Sequence, residues 1–173
     1  MEIGCFYFLS DEYFDKFPDK FLMNNKESIN GILHDRPCFY AFKENKGGIY
    51  WTIPFSSQVS KYKREAQKKI AKYKFCNTIL FNGVLGHEKA FLIQNMCPVT
   101  NNYIKNKYID NLSNSPVKVD YDFEKKLIKT AKDVLEKVRR GNKFIVFPDI
   151  LSIEKILLEE LIILQETATT NEP

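Results

Sequence analysis

The distribution of apolar residues along the chain predicts a mixed α/β protein built from short strands and amphipathic helices. Runs rich in aromatic and β-branched residues are typical of strands, and two of them flank a turn-forming cluster at residues 44–48. Another pair of strands is predicted around Asn82, Gly83 and Gly86, which favour a turn. The predicted strands span residues 5–9, 38–42, 49–53, 78–81, 90–93 and 144–147.

The clearest helix has apolar residues at positions 59, 62, 66, 70 and 73. Their spacing of three or four residues marks one face of an amphipathic helix. Ser56 or Ser57 precedes this helix and is the expected N-cap, because a serine hydroxyl can accept a hydrogen bond from a free backbone N–H of the first turn.

Three further helices and one long loop complete the predicted secondary structure. A short aromatic helix ends before Pro18, and the polar residues 18–36 are expected to form a functional loop. A longer helix begins at Asp122 and ends at Gly141. The last helix begins with a cap at Ser152 and extends to about residue 165.

The composition favours one small cytoplasmic domain. With 173 residues and 44% hydrophobic residues, the chain can bury one core, and we expect a single domain over residues 1–166 and a flexible tail at 167–173. The sequence shows neither a signal peptide nor an apolar run long enough to cross a membrane. The four cysteines are too widely separated for a zinc site, so we expect reduced core thiols and no metal or other cofactor.

Positive charge is concentrated on the amphipathic helix. Residues 61–74 contain seven basic residues and one acidic residue, a local charge of +6 in a chain whose formal net charge is +4. A solvated lysine face is one interpretation, but opposite charges four residues apart are nearly absent, so the face repels itself and favours a polyanion such as RNA. The candidate RNA-binding residues are Lys61, Lys63, Arg64, Lys68, Lys69 and Lys72.

Candidate chemistry lies where a strand leads into this helix. Ser56 and Ser57 stand at the helix N-terminus, where free N–H groups favour phosphate, and the hairpin is expected to bring Arg36 beside them. Arginine and hydroxyl groups can stabilise the charge that develops when RNA is cleaved. His34 could transfer protons near neutral pH or be a loop residue without a role, and His87 is interpreted as structural.

Three segments carry a family resemblance. Residues 34–42 (HDRPCFYAF), 48–57 (GIYWTIPFSS) and 89–100 (KAFLIQNMCPVT) resemble the ToxN/AbiQ-like toxins of type III toxin–antitoxin systems, and most of all the CptN/TenpN branch. The resemblance covers most of residues 1–110. It implies an α/β (α+β) fold whose core is an SH3-like antiparallel β-barrel, similar to the MazF/Kid toxins, with surrounding helices.

The resemblance also implies an activity and a partner. Such toxins are metal-independent endoribonucleases that leave a 2′,3′-cyclic phosphate and a 5′-hydroxyl. They process and are inhibited by a repeat antitoxin RNA, folded as a pseudoknot, in a closed toxin–RNA assembly, and a role in phage defence follows from the family. The alternative that needs no resemblance is a non-catalytic RNA-binding regulatory module that uses the basic helix at 57–74.

The family resemblance also implies individual site residues. Ser57 matches the catalytic serine of ToxN-like toxins, and Ser56 replaces the neighbouring threonine. Arg36 stands where those toxins have an active-site lysine, and Tyr13 matches an active-site tyrosine.

One position departs from the family pattern. ToxN-like toxins have a lysine two residues after the serine, but this chain has Val59 there. Lys61, one helical turn from Ser57, is the candidate substitute.

Overall fold

In the computed structural model, helices pack against an antiparallel sheet. The structure describes residues 1–23, 26–29, 31–43, 47–142 and 144–170. The helices are α1 (Asp11–Lys16), α2 (Val59–Tyr73), α3 (Tyr121–Arg139) and α4 (Ile150–Thr170). The strands are β1 (Phe6–Leu9), β2 (Lys26–Ile29), β3 (Ile32–Asp35), β4 (Pro37–Lys43), β5 (Tyr50–Ser56), β6 (Ile79–Val84), β7 (His87–Leu92), β8 (Cys97–Val99), β9 (Ile104–Lys107), β10 (Ile109–Asp110) and β11 (Ser115–Pro116).

The main sheet is open and has seven strands among the described residues. Its order is β6-β7-β5-β4-β1-β9, and β8 also pairs with β5. No pairing joins β6 to β9 within the described ranges, so the mixed α/β fold with an antiparallel sheet is confirmed but the SH3-like barrel is not. Two small hairpins, β2–β3 and β10–β11, lie outside this sheet.

Aromatic side chains from four strands form the centre of the core. The ring of Phe6 on β1 lies 5.6 Å from that of Phe39 on β4 and 5.2 Å from that of Phe55 on β5. The ring of Phe91 on β7 lies 6.2 Å from that of Phe39. Most of these contacts are edge-to-face, the arrangement that aromatic quadrupoles favour, so the cluster fixes how the strands lie against one another.

Strand β7 separates two hydrophobic clusters. Side chains alternate along a strand, and Phe91 accordingly joins the large core while Ala90 and Leu92 pack under α2 with Tyr62 and Ala66. The predicted apolar stripe of α2 is therefore buried only in its first half.

The second half of that stripe is exposed. Ile70 and Tyr73 are 48% and 54% exposed. This end of the helix borders a surface cavity described below.

Two predicted segments differ from the structure. Part of the expected loop at 18–36 forms the hairpin β2–β3, whose residues Ile32 and Leu33 are exposed and so lack the pattern of a half-buried strand. The expected strand at 144–147 is a series of turns and bends, anchored where the Phe147 N–H donates to the Gln94 carbonyl at 2.7 Å.

Helix ends also differ in part. Asp149 rather than Ser152 caps α4, since its carboxylate accepts the Ser152 backbone N–H, and α4 continues to Thr170 beyond the predicted end. Gly141 ends α3 as predicted: its φ is 99°, and its N–H donates to the Val138 carbonyl at 2.9 Å. Residues 171–173 of the predicted tail lie outside the described residues.

All four cysteines are free thiols, and Cys5, Cys38 and Cys97 are buried as predicted. No helix in the described part of the chain has the length and apolarity that a membrane span requires.

We predict that Glu2→Gln lowers stability near neutral pH but not in acid. Glu2 accepts hydrogen bonds from Lys118 and Lys107, at 2.6 and 2.9 Å, and ties the N-terminal segment to β9. The Lys118 hydrogen bond is the largest cause that lowers the pKa of Glu2 from 4.5 to about 2. A lowered pKa stabilises the folded state above pH 4.5, and this advantage is lost as the pH falls through about 2.

Thermal unfolding of both proteins across this pH range checks the prediction. The melting temperatures should differ modestly at neutral pH, since the pairs are at the surface, and should converge towards pH 2. A constant difference at every pH would contradict it.

Candidate active-site cleft

A cleft of about 620 Å³ opens between the hairpins β2–β3 and β6–β7 and the end of β5. It holds both histidines of the chain, together with a serine, three lysines and an aspartate. The polar residues that line it are Lys26, His34, Asp35, Ser57, His87, Lys89, Lys105 and Tyr108.

Ser57 and Lys89 are joined by a hydrogen bond in this cleft. Pairing of β5 with β7 sets Phe55 against Phe91 and Ser56 against Ala90, so Ser57 continues the register next to Lys89. Lys89 Nζ donates to Ser57 Oγ at 2.7 Å. Because the serine oxygen is the acceptor, its own hydroxyl hydrogen can be donated to a ligand.

The two histidines come from different hairpins. His34 lies on β3, and His87 follows the two-residue turn Leu85–Gly86 between β6 and β7. Both turn residues have positive φ, 49° and 78°, as a type I′ turn requires. His87 is exposed in the cleft, so the structure does not support the structural role that the sequence analysis gave it.

Asp35 links two of the cleft lysines. Its carboxylate accepts from Lys105 Nζ and Lys26 Nζ, each at 2.7 Å, and Lys26 also contacts Asp11 at 3.2 Å. The hydrogen bond from Lys105 is the largest cause of the lowered pKa of Asp35. The carboxylate therefore stays ionised near neutral pH and ties the small hairpin to β9, while Lys26 ties it to α1.

Ser56 and Arg36 support the end of β5 rather than line the cleft. Ser56 is buried, and its Oγ accepts the Gln58 N–H at 3.1 Å. Arg36 Nη1 donates to the Phe55 carbonyl at 3.1 Å, and Arg36 borders a separate small cavity. Arg36 is thus near Ser57 in space, through its contact with the Phe55 carbonyl, but the cation that contacts the Ser57 hydroxyl is Lys89. The predicted serine cap of α2 is wrong, since Gln58 occupies the N-cap position and makes no side-chain cap.

Tyr13 is a core residue and does not line the cleft. It is fully buried, and its hydroxyl donates to the Pro98 carbonyl at 2.7 Å. Burial raises the pKa of Tyr13 well above its ordinary value. Its proton is thus held inside the protein, away from the cleft.

The predicted RNA-binding residues lie along α2. Lys63 pairs with Glu88 at 2.7 Å, and Lys69 is half-buried, which lowers its pKa. The remaining four are exposed and form no ion pair with a carboxylate of the described residues: Lys61, Arg64, Lys68 and Lys72. Lys61 does not line the cleft, so Lys89 rather than Lys61 is the lysine next to Ser57.

The part of the cleft that comes from β7 was not predicted from the sequence. His87 and Lys89 are two residues apart on one strand and therefore share a face. That spacing could have indicated that both side chains belong to one surface, but the strand was predicted to begin only at Ala90. Within the described residues, no group of three or more His, Cys, Asp or Glu side chains could hold a metal ion.

Most of the chain is similar in fold to a known structure. No protein-family model matches the chain, and no curated protein matches it. Its structure superposes on AbiQ, a lactococcal anti-phage endoribonuclease belonging to the type III toxin–antitoxin system, with a TM-score of 0.64 and 14% sequence identity. The two chains share a fold. The similarity covers 95% of this chain and 99% of AbiQ.

We predict that Tyr13→Phe destabilises the protein and that Ser57→Ala does not. Removing the Tyr13 hydroxyl leaves the buried Pro98 carbonyl without its donor, which should cost about 1–2 kcal/mol. Ser57 is exposed, and its loss should change stability by less than about 0.5 kcal/mol. Urea unfolding of the two variants and the wild type measures both values, and equal stabilities would refute the assignment of Tyr13 to the core.

Proposed function

We propose that the protein is a metal-independent endoribonuclease and the toxin of a type III toxin–antitoxin system. The observation that carries the proposal is the cleft, in which both histidines of the chain stand with the hydrogen-bonded pair Ser57–Lys89. The AbiQ-like fold over 95% of the chain supports the same function, because AbiQ is an endoribonuclease of such a system.

RNA cleavage without a metal needs a base, an acid and stabilised phosphate charge. The 2′-oxygen of a ribose attacks the adjacent phosphorus, the bond from phosphorus to the 5′-oxygen breaks, and a 2′,3′-cyclic phosphate and a 5′-hydroxyl remain. One group accepts the proton of the 2′-hydroxyl, and another donates a proton to the leaving 5′-oxygen. In the proposed mechanism His34 and His87 take these two roles, because imidazole exchanges protons near neutral pH.

Ser57 and Lys89 bind the scissile phosphate in this mechanism. The ammonium group of Lys89 compensates the negative charge that grows on the phosphorus oxygens, and Ser57 donates its hydroxyl hydrogen to one of them. Lys26 and Lys105 keep the cleft attractive to RNA, although Asp35 neutralises part of their charge. Arg36 and Ser56 act indirectly, by fixing the backbone that carries Ser57.

The cationic face of α2 binds the RNA backbone outside the cleft. Its exposed basic side chains are directed to solvent immediately after Ser57, so a strand that leaves the cleft can follow the helix. The partner that fits this surface is the repeat pseudoknot antitoxin RNA, which the toxin processes and which then inhibits it in a closed toxin–RNA assembly. Sequence motifs resembling the CptN/TenpN branch support this partner, a cytoplasmic location and a role in phage defence.

A non-catalytic RNA-binding module is the second candidate. The cationic face of α2 alone would satisfy it, and the cleft residues would then have no role in RNA turnover. The two functions differ in one respect, because only the enzyme converts RNA to shorter products with cyclic phosphate ends.

We predict that Ser57→Ala and Lys89→Met each lower the RNA cleavage rate by roughly a hundredfold, since each removes a donor to the phosphate. Binding to the same RNA should be nearly unchanged, because α2 retains its charge. Cleavage of a labelled RNA in EDTA, with identification of the cyclic phosphate, measures the loss. Ser60→Ala, on the first turn of α2, is the matched control and should be fully active.

Growth after expression gives a second readout of the same variants. The wild type should arrest growth without its antitoxin RNA, and Ser57→Ala should relieve the arrest. If the purified wild type leaves RNA intact both with and without EDTA, the RNA-binding module is the better description.

We predict that His34→Ala and His87→Ala each reduce the rate of RNA cleavage by roughly a hundredfold or more, because each removes a group that transfers a proton in the proposed mechanism. Cleavage of the same labelled RNA measures the loss. A rate equal to that of the wild type in either variant would exclude that histidine as an acid or base.

A further inference from the structure

A second cavity, of about 640 Å³, lies at the opposite end of α2 from Ser57. It is bordered by the last turn of α2, the segment that leads into β6, and the turns after α3. From Val59 to Tyr73 the helix rises about 21 Å, so this cavity is separate from the cleft.

Four aromatic side chains around this cavity are exposed. Tyr73 and Phe75 are 54% and 59% exposed, and Phe144 and Phe147 are 96% and 44% exposed. Single exposed aromatic residues are common, but several on one cavity wall usually mark a binding surface. Their accessible faces can stack on planar rings.

Two lysines place positive charge beside these rings. Lys69 Nζ lies 5.6 Å from the centre of the Phe147 ring and donates to Thr78 Oγ1 and Gln94 Oε1 at 2.7 and 2.6 Å. Both acceptors are neutral, so these contacts orient the ammonium group without compensating its charge. Lys137 on α3 lines the other side, and none of the described residues that line the cavity is acidic.

We infer that this cavity binds unpaired nucleobases of single-stranded RNA, with stacking on Phe75 and Phe144 and with the phosphates next to Lys69 and Lys137. Exposed aromatic faces beside cations are the combination that binds single-stranded nucleic acid. The exposed cationic residues of α2 connect the cavity to the cleft, so one strand can reach both. The inference rests on the proposed function and deepens it, since it adds a second RNA contact that holds substrate or antitoxin RNA about 20 Å from the chemistry.

The test uses fluorescently labelled 2′-O-methyl RNA of about twelve nucleotides, long enough for a binding site of this kind. This probe has no free 2′-hydroxyl, so its binding does not depend on cleavage. Phe75→Ala combined with Phe144→Ala should weaken its binding by roughly tenfold or more, as loss of base stacking predicts. Tyr121→Ala, which removes an equally exposed aromatic residue outside the cavity, should bind like the wild type.

Two further measurements separate this inference from its alternatives. The double variant should cleave a short RNA that occupies only the cleft at the wild-type kcat, so a defect in cleavage and a defect in the cavity are distinguishable. Photocrosslinking of unmodified protein to a 4-thiouridine form of the probe should label peptides that contain Phe75 or Phe144, whether or not the variants fold. Three results would overturn the inference: unchanged affinity in the double variant, an equal loss in Tyr121→Ala, or crosslinks confined to other peptides. Any of them would favour a protein partner that contacts these aromatic side chains.

Discussion

The short pairing between β5 and β7 determines where the chemical groups of this protein meet. Only two residue pairs are formed, Phe55 with Phe91 and Ser56 with Ala90, yet they bring Ser57 next to Lys89 across thirty-two residues of sequence. A shift of one residue would direct Lys89 to the opposite face of the sheet, towards the helix that covers Ala90. The contact between the Phe55 and Phe91 rings in the core resists such a shift, so core packing on the same face of these strands sets the geometry of the cleft.

Positive charge is arranged in two different ways across the molecule. In the cleft, lysines are paired with Asp35 or with a serine hydroxyl, and their positions are fixed. Along α2, most of the basic side chains are exposed and have no carboxylate partner within the described residues. Fixed cations suit the stabilisation of one phosphate, while exposed cations suit an RNA backbone that passes over the helix in more than one register.

Local patterns explain how much of this structure the sequence could predict. The hairpin β4–β5 was predicted from two runs of aromatic and β-branched residues around a turn-forming cluster, and α2 from its apolar spacing of three or four residues, because each of these signals lies within one segment. The hairpin β2–β3 was missed, since Ile32 and Leu33 are exposed and the strands pair only with each other among the described residues. The partnership of Ser57 with Lys89 and the shared cleft of His34 and His87 depend on contacts between distant segments, which no local period encodes. The family resemblance pointed to Ser57, which lines the cleft, and also to Tyr13, which is buried, because a motif does not record which side chains are buried.

The hairpin that carries His34 has a consequence for how the molecule responds to ionic strength. Its strands are outside the main sheet, and Asp35 and Lys26 join it to β9 and α1 through partly exposed ion pairs. Added salt screens such pairs and also competes with protein–phosphate contacts. If the proposed mechanism holds, salt would therefore move His34 away from His87 and also weaken RNA binding, so the rate of RNA cleavage is expected to decline more steeply than RNA affinity.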